Sequence, residues 1–477
     1  MKGGVLVSTL GVFGSALMWL LGFKAVAYWM GPEGVGLFSQ FRQIAQAATV
    51  GATFGGTTSV VQGLSECKDE TSRIQFRLMA SRFIALTGGI LTLAMLVLAP
   101  QLTRFFLASD APELVASLRW LTLAVLLNIC GTYALAVLNG YRTYPFLALA
   151  QIAGPLSLAM ALFGAWWLQF SADPQMLSGS FVLCFAVTCC VGWVGVSRLP
   201  RPPATVSSEK MAEAQKYIFL RFATSNLLAA LSTTVALLLI RSWVIGAKGL
   251  GFAGLFDAGW TLTFNYTTLF LTACSAVYLP LLTAANGPQI QKVYILKTAY
   301  LVLGASTLIC YSMVFLKDPL IRLLYSPQFQ ASGDVLMVLV IAVIFRSVSW
   351  VYGTLIVATR DSTVLLFSDL SLNIVLLATT KYALQNYVSL EALSWAFVLP
   401  NFLYLIFVIE YACHKNQLMQ RRQIWPFVVA GAAPLIYLAT VHSDATLMMS
   451  NLIVWPFIGI GIAVSGAAFF AYTKVNL

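Results

Sequence analysis

The chain has 477 residues, 59% of them hydrophobic and only 9% charged, with a mean hydropathy of +0.84 and a net charge of +11. A soluble domain carries roughly 25% charged residues, so this composition excludes a soluble globular protein and points to a chain that crosses a membrane many times. No polar stretch is long enough to fold as a basic domain, which excludes nucleic-acid binding as the meaning of the positive charge.

A bilayer-crossing helix takes about 20 mainly apolar residues, and cutting the chain at its polar and Pro/Gly breaks predicts about fourteen such helices. In chain order they lie near 5–30, 36–62, 78–100, 116–139, 146–168, 176–197, 218–247, 251–284, 294–316, 334–359, 362–384, 391–413, 424–442 and 446–472. These segments are too long for barrel strands and do not alternate in period two, so the fold class is an all-α integral membrane bundle. Lys2, an apolar run and Ala25-Val26-Ala27 imitate a signal peptide, but the run exceeds a signal core and reads as a first span.

With the N-terminus inside, Lys68, Arg73, Arg77, Arg142, Arg198, Arg201, Lys210, Lys216, Lys292, Arg360, Lys415, Arg421 and Arg422 all fall on one side. The opposite loops hold mainly Arg104, Lys248, Lys317 and Arg322, so both termini are expected in the cytoplasm. The cysteines lie in spans or, like Cys67 and Cys413, on the cytoplasmic side, so no disulfide is expected; Cys189-Cys190 reads as small packing residues.

The longest polar break, Pro-rich and then charged, gives a cytoplasmic linker at 198–217. It separates an N-terminal six-helix lobe (1–197) from a C-terminal six-helix lobe (218–413), with two additional helices over 414–477. The lobes repeat one another. Gly34-Val35-Gly36-Leu37-Phe38 is answered by Gly249-Leu250-Gly251-Phe252, Leu102-Thr103-Arg104-Phe105-Phe106 by Leu320-Ile321-Arg322-Leu323-Leu324, and Arg142 by Arg360, at separations of 215 to 218 residues. Polar positions pair as well: Arg42 with Asp257, Asn128 with Arg346, Gln151 with Asp369. Six spans per half start both halves on the same side, which predicts a pseudo-two-fold axis along the membrane normal, the arrangement of transporters whose site lies between repeats.

The second span carries Arg42, Gln46, Thr49, Thr53 and Thr57, and the eighth carries Asp257, Thr261, Asn265, Thr268 and Thr272. Spaced three and four apart, each set forms one polar stripe on an apolar helix, as expected of a helix lining a cavity. Arg346 lies near the middle of its span with Ser349 and Gly353 on its face, too deep to snorkel easily. Lys24 and Arg241 occupy outer thirds of their spans. Lys24, Arg42, Arg241 and Arg346 are therefore candidates to hold an anion, since a guanidinium can take a phosphate bidentately. Asp257 and Asp369 are candidates for coupling to a proton or sodium ion, with a salt bridge as the alternative for Asp369. Enzyme signals are weak: His414 and His442 have no metal-ligand spacing, and Gly31-Pro32-Glu33-Gly34-Val35-Gly36 reads as a tight turn between spans.

The run from Gly31 to Gln43, with its glycine-rich turn and Gln40-Phe41-Arg42-Gln43, resembles the polysaccharide-export flippases of the multidrug/oligosaccharidyl-lipid/polysaccharide (MOP) superfamily, most of all those for O-antigen and enterobacterial common antigen units. Leu323-Leu324-Tyr325-Ser326-Pro327-Gln328-Phe329 resembles a second stretch shared across that superfamily. The resemblance implies two six-helix lobes around a central cationic cavity and a bacterial inner-membrane location. It further implies transport of an undecaprenyl-diphosphate-linked oligosaccharide to the periplasmic leaflet, no cofactor, and partnership with a polysaccharide polymerase. Only Arg42 matches a motif arginine; for Lys24, Arg241 and Arg346 the family implies a general cationic lining. The two C-terminal spans depart from many O-antigen flippases. Competing readings are a drug–cation antiporter of the same superfamily, which would call for an acidic cavity, and a membrane polymerase or glycosyltransferase, which would call for a larger outside loop or catalytic carboxylates.

Overall fold

Apolar runs punctuated by Pro, Gly and capping carboxylates should form helices, and the computed structural model, which describes residues 2–55, 57–67, 69–200, 209–285, 287–359, 361–416, 421–442 and 451–474, is helical throughout nearly all of those residues. The first part comprises α1 (Lys2–Ala52), α2 (Thr57–Glu66), α3 (Glu70–Val97), α4 (Ala99–Leu107), α5 (Pro112–Gly140), α6 (Tyr144–Trp167) and α7 (Pro174–Ser197). There follow α8 (Glu209–Trp260), a π-helical turn (Thr261–Asn265), α9 (Tyr266–Ala284), α10 (Pro288–Phe315), α11 (Lys317–Leu324), α12 (Ser332–Ala358), α13 (Ser362–Asn386), α14 (Leu390–Asn416), α15 (Arg421–His442) and α16 (Asn451–Lys474). Asp69, Asp173 and Asp361 cap α3, α7 and α13 by accepting from the Ser72, Gln175 and Val364 amides.

Among the described residues, 11 helical segments are long and apolar enough to cross a membrane. Two of them, Thr9–Ala52 and Ala230–Thr283, each hold two of the predicted spans. The predicted tight turn at Gly31–Gly36 is instead a kink of a single residue inside α1. Gly31 (φ 64, ψ −158) takes the bend, and Gly249 (φ 86, ψ 170) does the same in α8. That backbone region is open almost only to glycine, and Pro32 then starts the next helical stretch with its φ preset. The predicted second span is also broken: Phe54 (φ 51) and Gly55 (φ 92) end it before α2 begins.

The repeat is far more regular in the structure than in the sequence. Gly249 follows Gly31 by 218 residues, and α3 through α7 recur as α10 through α14 with starts within about two residues of that same spacing. The common register is therefore 218 throughout, which corrects the 215-residue match of Gly34 with Gly249. At 218, the counterpart of Arg42 is Trp260 and not Asp257. The Leu102–Phe106 and Leu320–Leu324 motifs occupy the short helices α4 and α11, each placed between two long ones.

By its contacts the chain divides into two compact units, Met1–Gly254 and Leu255–Leu477. The linker expected at 198–217 includes 201–208, which lie outside the described residues. In the first unit α5 packs on α7 and α1 on α6. The Gly31 and Gly249 bends meet there: a Cβ on Gly36 would strike the Leu250 carbonyl, and one on Gly254 would strike the Pro32 carbonyl. Because Leu250 and Gly254 are the counterparts of Pro32 and Gly36, this crossing is a backbone contact that the repeat makes with itself. In the second unit α12 is the central helix, packed against α10, α14, α15 and α9, with 89% of its apolar window buried.

Candidate functional site

In the first unit the second half of α1 is stitched to α8 by two glutamines. Gln40 donates to the Phe106 carbonyl and to Ser242 Oγ, both at 3.0 Å. Gln43 donates to the Thr234 carbonyl at 3.0 Å and accepts from Arg241 Nη1 at 2.8 Å. Buried amides cross-link helices where water is absent, so Gln43 fixes the Arg241 guanidinium as well as the helix pair. Its neighbour Arg42 lies 4.6 Å from the Trp19 ring centroid and 5.8 Å from that of Phe23. Trp19 and Phe23 in turn join Phe38 and Phe181 in one aromatic cluster. A ring face stabilises a cation through its quadrupole. Lys24 is half-buried with its ammonium 5.8 Å from the Tyr28 ring. Three of the four predicted cations thus belong to this unit.

Lower on the same stripe the side chains turn inward. Thr49 and Thr53 are buried, Thr53 bonding back to the Thr49 carbonyl, while Asn128 on α5 donates to Thr49 Oγ1 at 2.8 Å. Gln46 is exposed. The expected continuous polar face is therefore divided between helix–helix bonds and one open amide.

In the second unit the π-helical turn has a comparable effect. One extra residue in the turn rotates the rest of the helix by about 100°, so spacing counted on a regular helix fails beyond it. Thr261 is buried and Asn265 half-buried, Thr268 and Thr272 are less enclosed, and Thr267, outside the predicted stripe, is buried with its hydroxyl on the Thr263 carbonyl. Asp257 is buried and interacts electrostatically with Tyr325.

Arg346 is the sharpest feature of the second unit. Along α12, Arg346, Trp350, Gly353 and Val357 are the residues left half-buried or exposed between Met337 and Val357. Spaced four, three and four apart, they form the single uncovered face of an otherwise buried helix. Arg346 lines a narrow cleft with Thr267, Thr268 and Phe264 whose free space is about 10 Å³, room for one water. Thr267 and Arg346 are the 218-residue counterparts of Thr49 and Asn128, so the same pair of positions meets in both units, with a cation replacing an amide.

Arg346 also interacts electrostatically with Asp369 of α13 and with Tyr404 of α14. A charge in a membrane interior costs a few kcal/mol or more, and an opposite charge nearby reduces that cost. The sequence offered Arg346 for substrate and Asp369 for an ion, with a salt bridge as the alternative for Asp369; the two interact electrostatically. It missed Gln40, Gln43, Tyr404 and Thr267. Two glutamines three apart in an apolar helix were the available sign for the first pair, and nothing in spacing marks the others.

The larger clefts lie elsewhere. One of about 450 Å³ is bounded by Trp29, Trp120, Asp173 and Met176 in the first unit, and another of about 110 Å³ by Phe367, Leu403, Tyr404 and Phe407 in the second. Their exposed apolar rims suit hydrocarbon surroundings.

No protein-family model and no curated protein sequence matches this chain. Solved structures do. An inward-facing multidrug-resistance MATE family transporter of the MOP superfamily matches with a TM-score of 0.67 at 14% identity, over 86% of this chain and 94% of that one. A MOP superfamily transporter from Pyrococcus furiosus matches with a TM-score of 0.63 at 15% identity, over 86% and 94%. The lipid II flippase MurJ, in an inward closed conformation, matches with a TM-score of 0.63 at 10% identity, over 99% and 100%. The chain shares the fold of these structures.

Proposed function

We propose that this protein is a flippase that carries an undecaprenyl-diphosphate-linked oligosaccharide from the cytoplasmic to the periplasmic leaflet of a bacterial inner membrane by alternating access. The observation that carries the reading is Arg346, a guanidinium on the one open face of a central membrane helix. Arg42, Lys24 and Arg241 are further anion contacts in the first unit, where Gln43 and Trp19 hold two of them. A diphosphate offers two or more negative charges to such groups and fork-shaped guanidinium donors match its oxygens. The exposed Gln46 and Thr268, with half-buried Asn265, supply polar contacts for sugar hydroxyls, while Thr49, Thr53 and Thr261 support the helices behind them. Asp369 and Asp257 are the carboxylates through which a proton or sodium ion would couple. A polysaccharide polymerase is the expected partner after transport.

The drug–cation antiporter reading draws on the likeness to MATE transporters and on Asp369. The guanidinium beside that carboxylate disfavours a second cation there, so we rank it below the flippase reading. The Pyrococcus furiosus transporter, described as having a binding pocket of reverse polarity, supports allowing either sign of substrate on this fold.

The test is a deletion strain of the source organism. Diphosphate-linked repeat units should accumulate in the cytoplasmic leaflet with loss of surface polysaccharide, wild-type protein should restore export, and Arg346→Gln should not. Unchanged polysaccharide in the deletion strain, with altered drug tolerance, would favour the antiporter.

A further inference from the structure

A second place in the first unit has the build of a ligand site and takes no part in the transport reading. It is the cleft of about 450 Å³ where the end of α1 before its bend, the early turns of α5 and the α6–α7 connection come together. Small-molecule pockets have volumes of this order and are mainly apolar with a few fixed polar groups. Trp29 and Trp120 line the cleft, as do Asp173 and Met176 from the start of α7. Trp29 is held in place because its indole Nε1 donates to the Phe170 carbonyl at 3.1 Å, a bond from α1 to the α6–α7 connection. Asp173 is fixed as well: it caps α7, one carboxylate oxygen accepting from the Gln175 amide at 2.8 Å. Its second oxygen has no partner among the described residues, and the side chain is only half-buried.

The charge of the cleft is opposite to that of the chain. The protein carries +11, yet Asp173 is the one charged residue among those lining the cleft. Arg119 and Lys24, close in sequence to the two indoles, do not line it, and the Lys24 ammonium lies by the Tyr28 ring instead. A carboxylate with no base beside it, walled by indoles, attracts a cation through its charge and through the negative faces of the rings. The rim describes the rest of the occupant. Trp120, Met176 and Leu183 in the cleft are exposed, as are Trp167 and Leu168 at the end of α6. Exposed apolar and indole surface on a membrane protein faces hydrocarbon and the headgroup boundary. A water-soluble cation has no use for such a rim, whereas an amphiphile covers it with its chain.

We propose that this cleft binds an amine-bearing lipid of the outer leaflet, with its ammonium on the second Asp173 oxygen against the indoles and its acyl chain along α6 and α7. The charge asymmetry of the loops puts this end of the bundle at the outer interface. Ala161 and Ala165 on α6 and Gly179 on α7 leave room for the chain, and a Cβ on Gly179 would meet nothing within 4 Å. The bound lipid ties α7 to the first half of α1, just short of the Gly31 bend. Arg346 belongs to the other unit, so the lipid site stands whatever the transported substrate is.

Native mass spectrometry of the purified full-length protein, released from nonionic micelles, tests the site. The protein is titrated with dioctanoyl phosphatidylethanolamine and, in parallel, with dioctanoyl phosphatidylglycerol, which has the phosphate but no amine. Wild type should take one phosphatidylethanolamine at a concentration about tenfold below that needed for phosphatidylglycerol, the step expected of one charge-assisted contact. Asp173→Asn keeps a capping side chain and drops the charge, so it should bring the two lipids level. Gly179→Leu grows into open cleft space and should block the adduct without lowering the melting temperature. A melting scan of each variant separates lost binding from lost fold. Equal binding of the two lipids by wild type, an unchanged preference in Asp173→Asn, or an unchanged adduct in Gly179→Leu overturns the site and leaves annular lipid only. A tetraphenylphosphonium adduct that Asp173→Asn removes, in a protein with no lipid preference, overturns the lipid as occupant and gives the cleft to a free organic cation.

Discussion

The cations and carboxylates of this chain are held in ways that single substitutions can separate. Gln43 is the clearest positioning residue, since it bonds Arg241 and the Thr234 carbonyl at once. Gln43→Leu should destabilise the protein by about 0.6 to 2 kcal/mol, in the range measured for buried polar contacts between membrane helices. Thermal unfolding in detergent reads this directly, and transport should fall further than stability because Arg241 loses that anchor. Outside the membrane, Asp361 caps α13 while accepting from Lys415 Nζ and from the Tyr411 hydroxyl, each at 2.9 Å. These contacts, the Lys415 hydrogen bond foremost, hold its carboxyl below the ordinary carboxylate value. A depressed folded pKa stabilises the fold above the unfolded value near 4 and loses that contribution as pH falls through the folded one, so the effect belongs to the range below about pH 4. The melting temperature of Asp361→Asn should be lower than wild type at pH 7 and should converge with it in acid. A constant gap across that range would contradict the assignment. Of the residue-level site, the sequence exposed the charges because an ionisable group in an apolar run stands out by itself. It could not expose Tyr404, whose role exists only through packing between α13 and α14.

At the scale of elements, the kinked helices decide the geometry. Gly36 and Gly254 let two backbones meet without side chains between them, and both obstructing atoms are carbonyl oxygens that cannot rotate away. Gly36→Ala should therefore cost about 1 to 3 kcal/mol or more, as overpacking does in a close-packed interior, and Gly254→Ala should cost a similar amount. Wild-type stability in both variants, measured by thermal unfolding, would show that the two backbones do not touch. Helix content and order were legible in the sequence because hydropathy and length leave no other structure in a membrane. The two places where the stripes went wrong, the Phe54–Gly55 break and the π-turn at Thr261–Asn265, are departures from a 3.6-residue period. Periodicity counted from sequence carries no warning of either.

At the scale of the whole molecule, the repeat organises the chemistry. Equivalent positions hold Asn128 with Thr49 in the first unit and Arg346 beside Thr267 in the second, and Gln151 is answered by Asp369. One scaffold is thus neutral at these positions in one copy and carries two opposite charges, Arg346 and Asp369, in the other. Sequence matching found the pairs at 218 but took a 215 register at the kink, because glycine runs align well at more than one offset. The kink itself resolves the choice through the backbone angles of Gly31 and Gly249.

The central claim is that this fold moves a lipid-linked diphosphate by means of Arg346. The most direct measurement is translocation of a fluorescent polyprenyl-diphosphate oligosaccharide across proteoliposomes containing the purified protein, scored by chemical quenching of the outer leaflet. Wild type should deliver the lipid to the opposite leaflet, and Arg346→Gln, at equal incorporation and with a wild-type melting profile, should slow it at least about tenfold, the equivalent of one lost charge-assisted contact. Equal rates with wild type and Arg346→Gln, or no translocation above protein-free vesicles, would contradict the account.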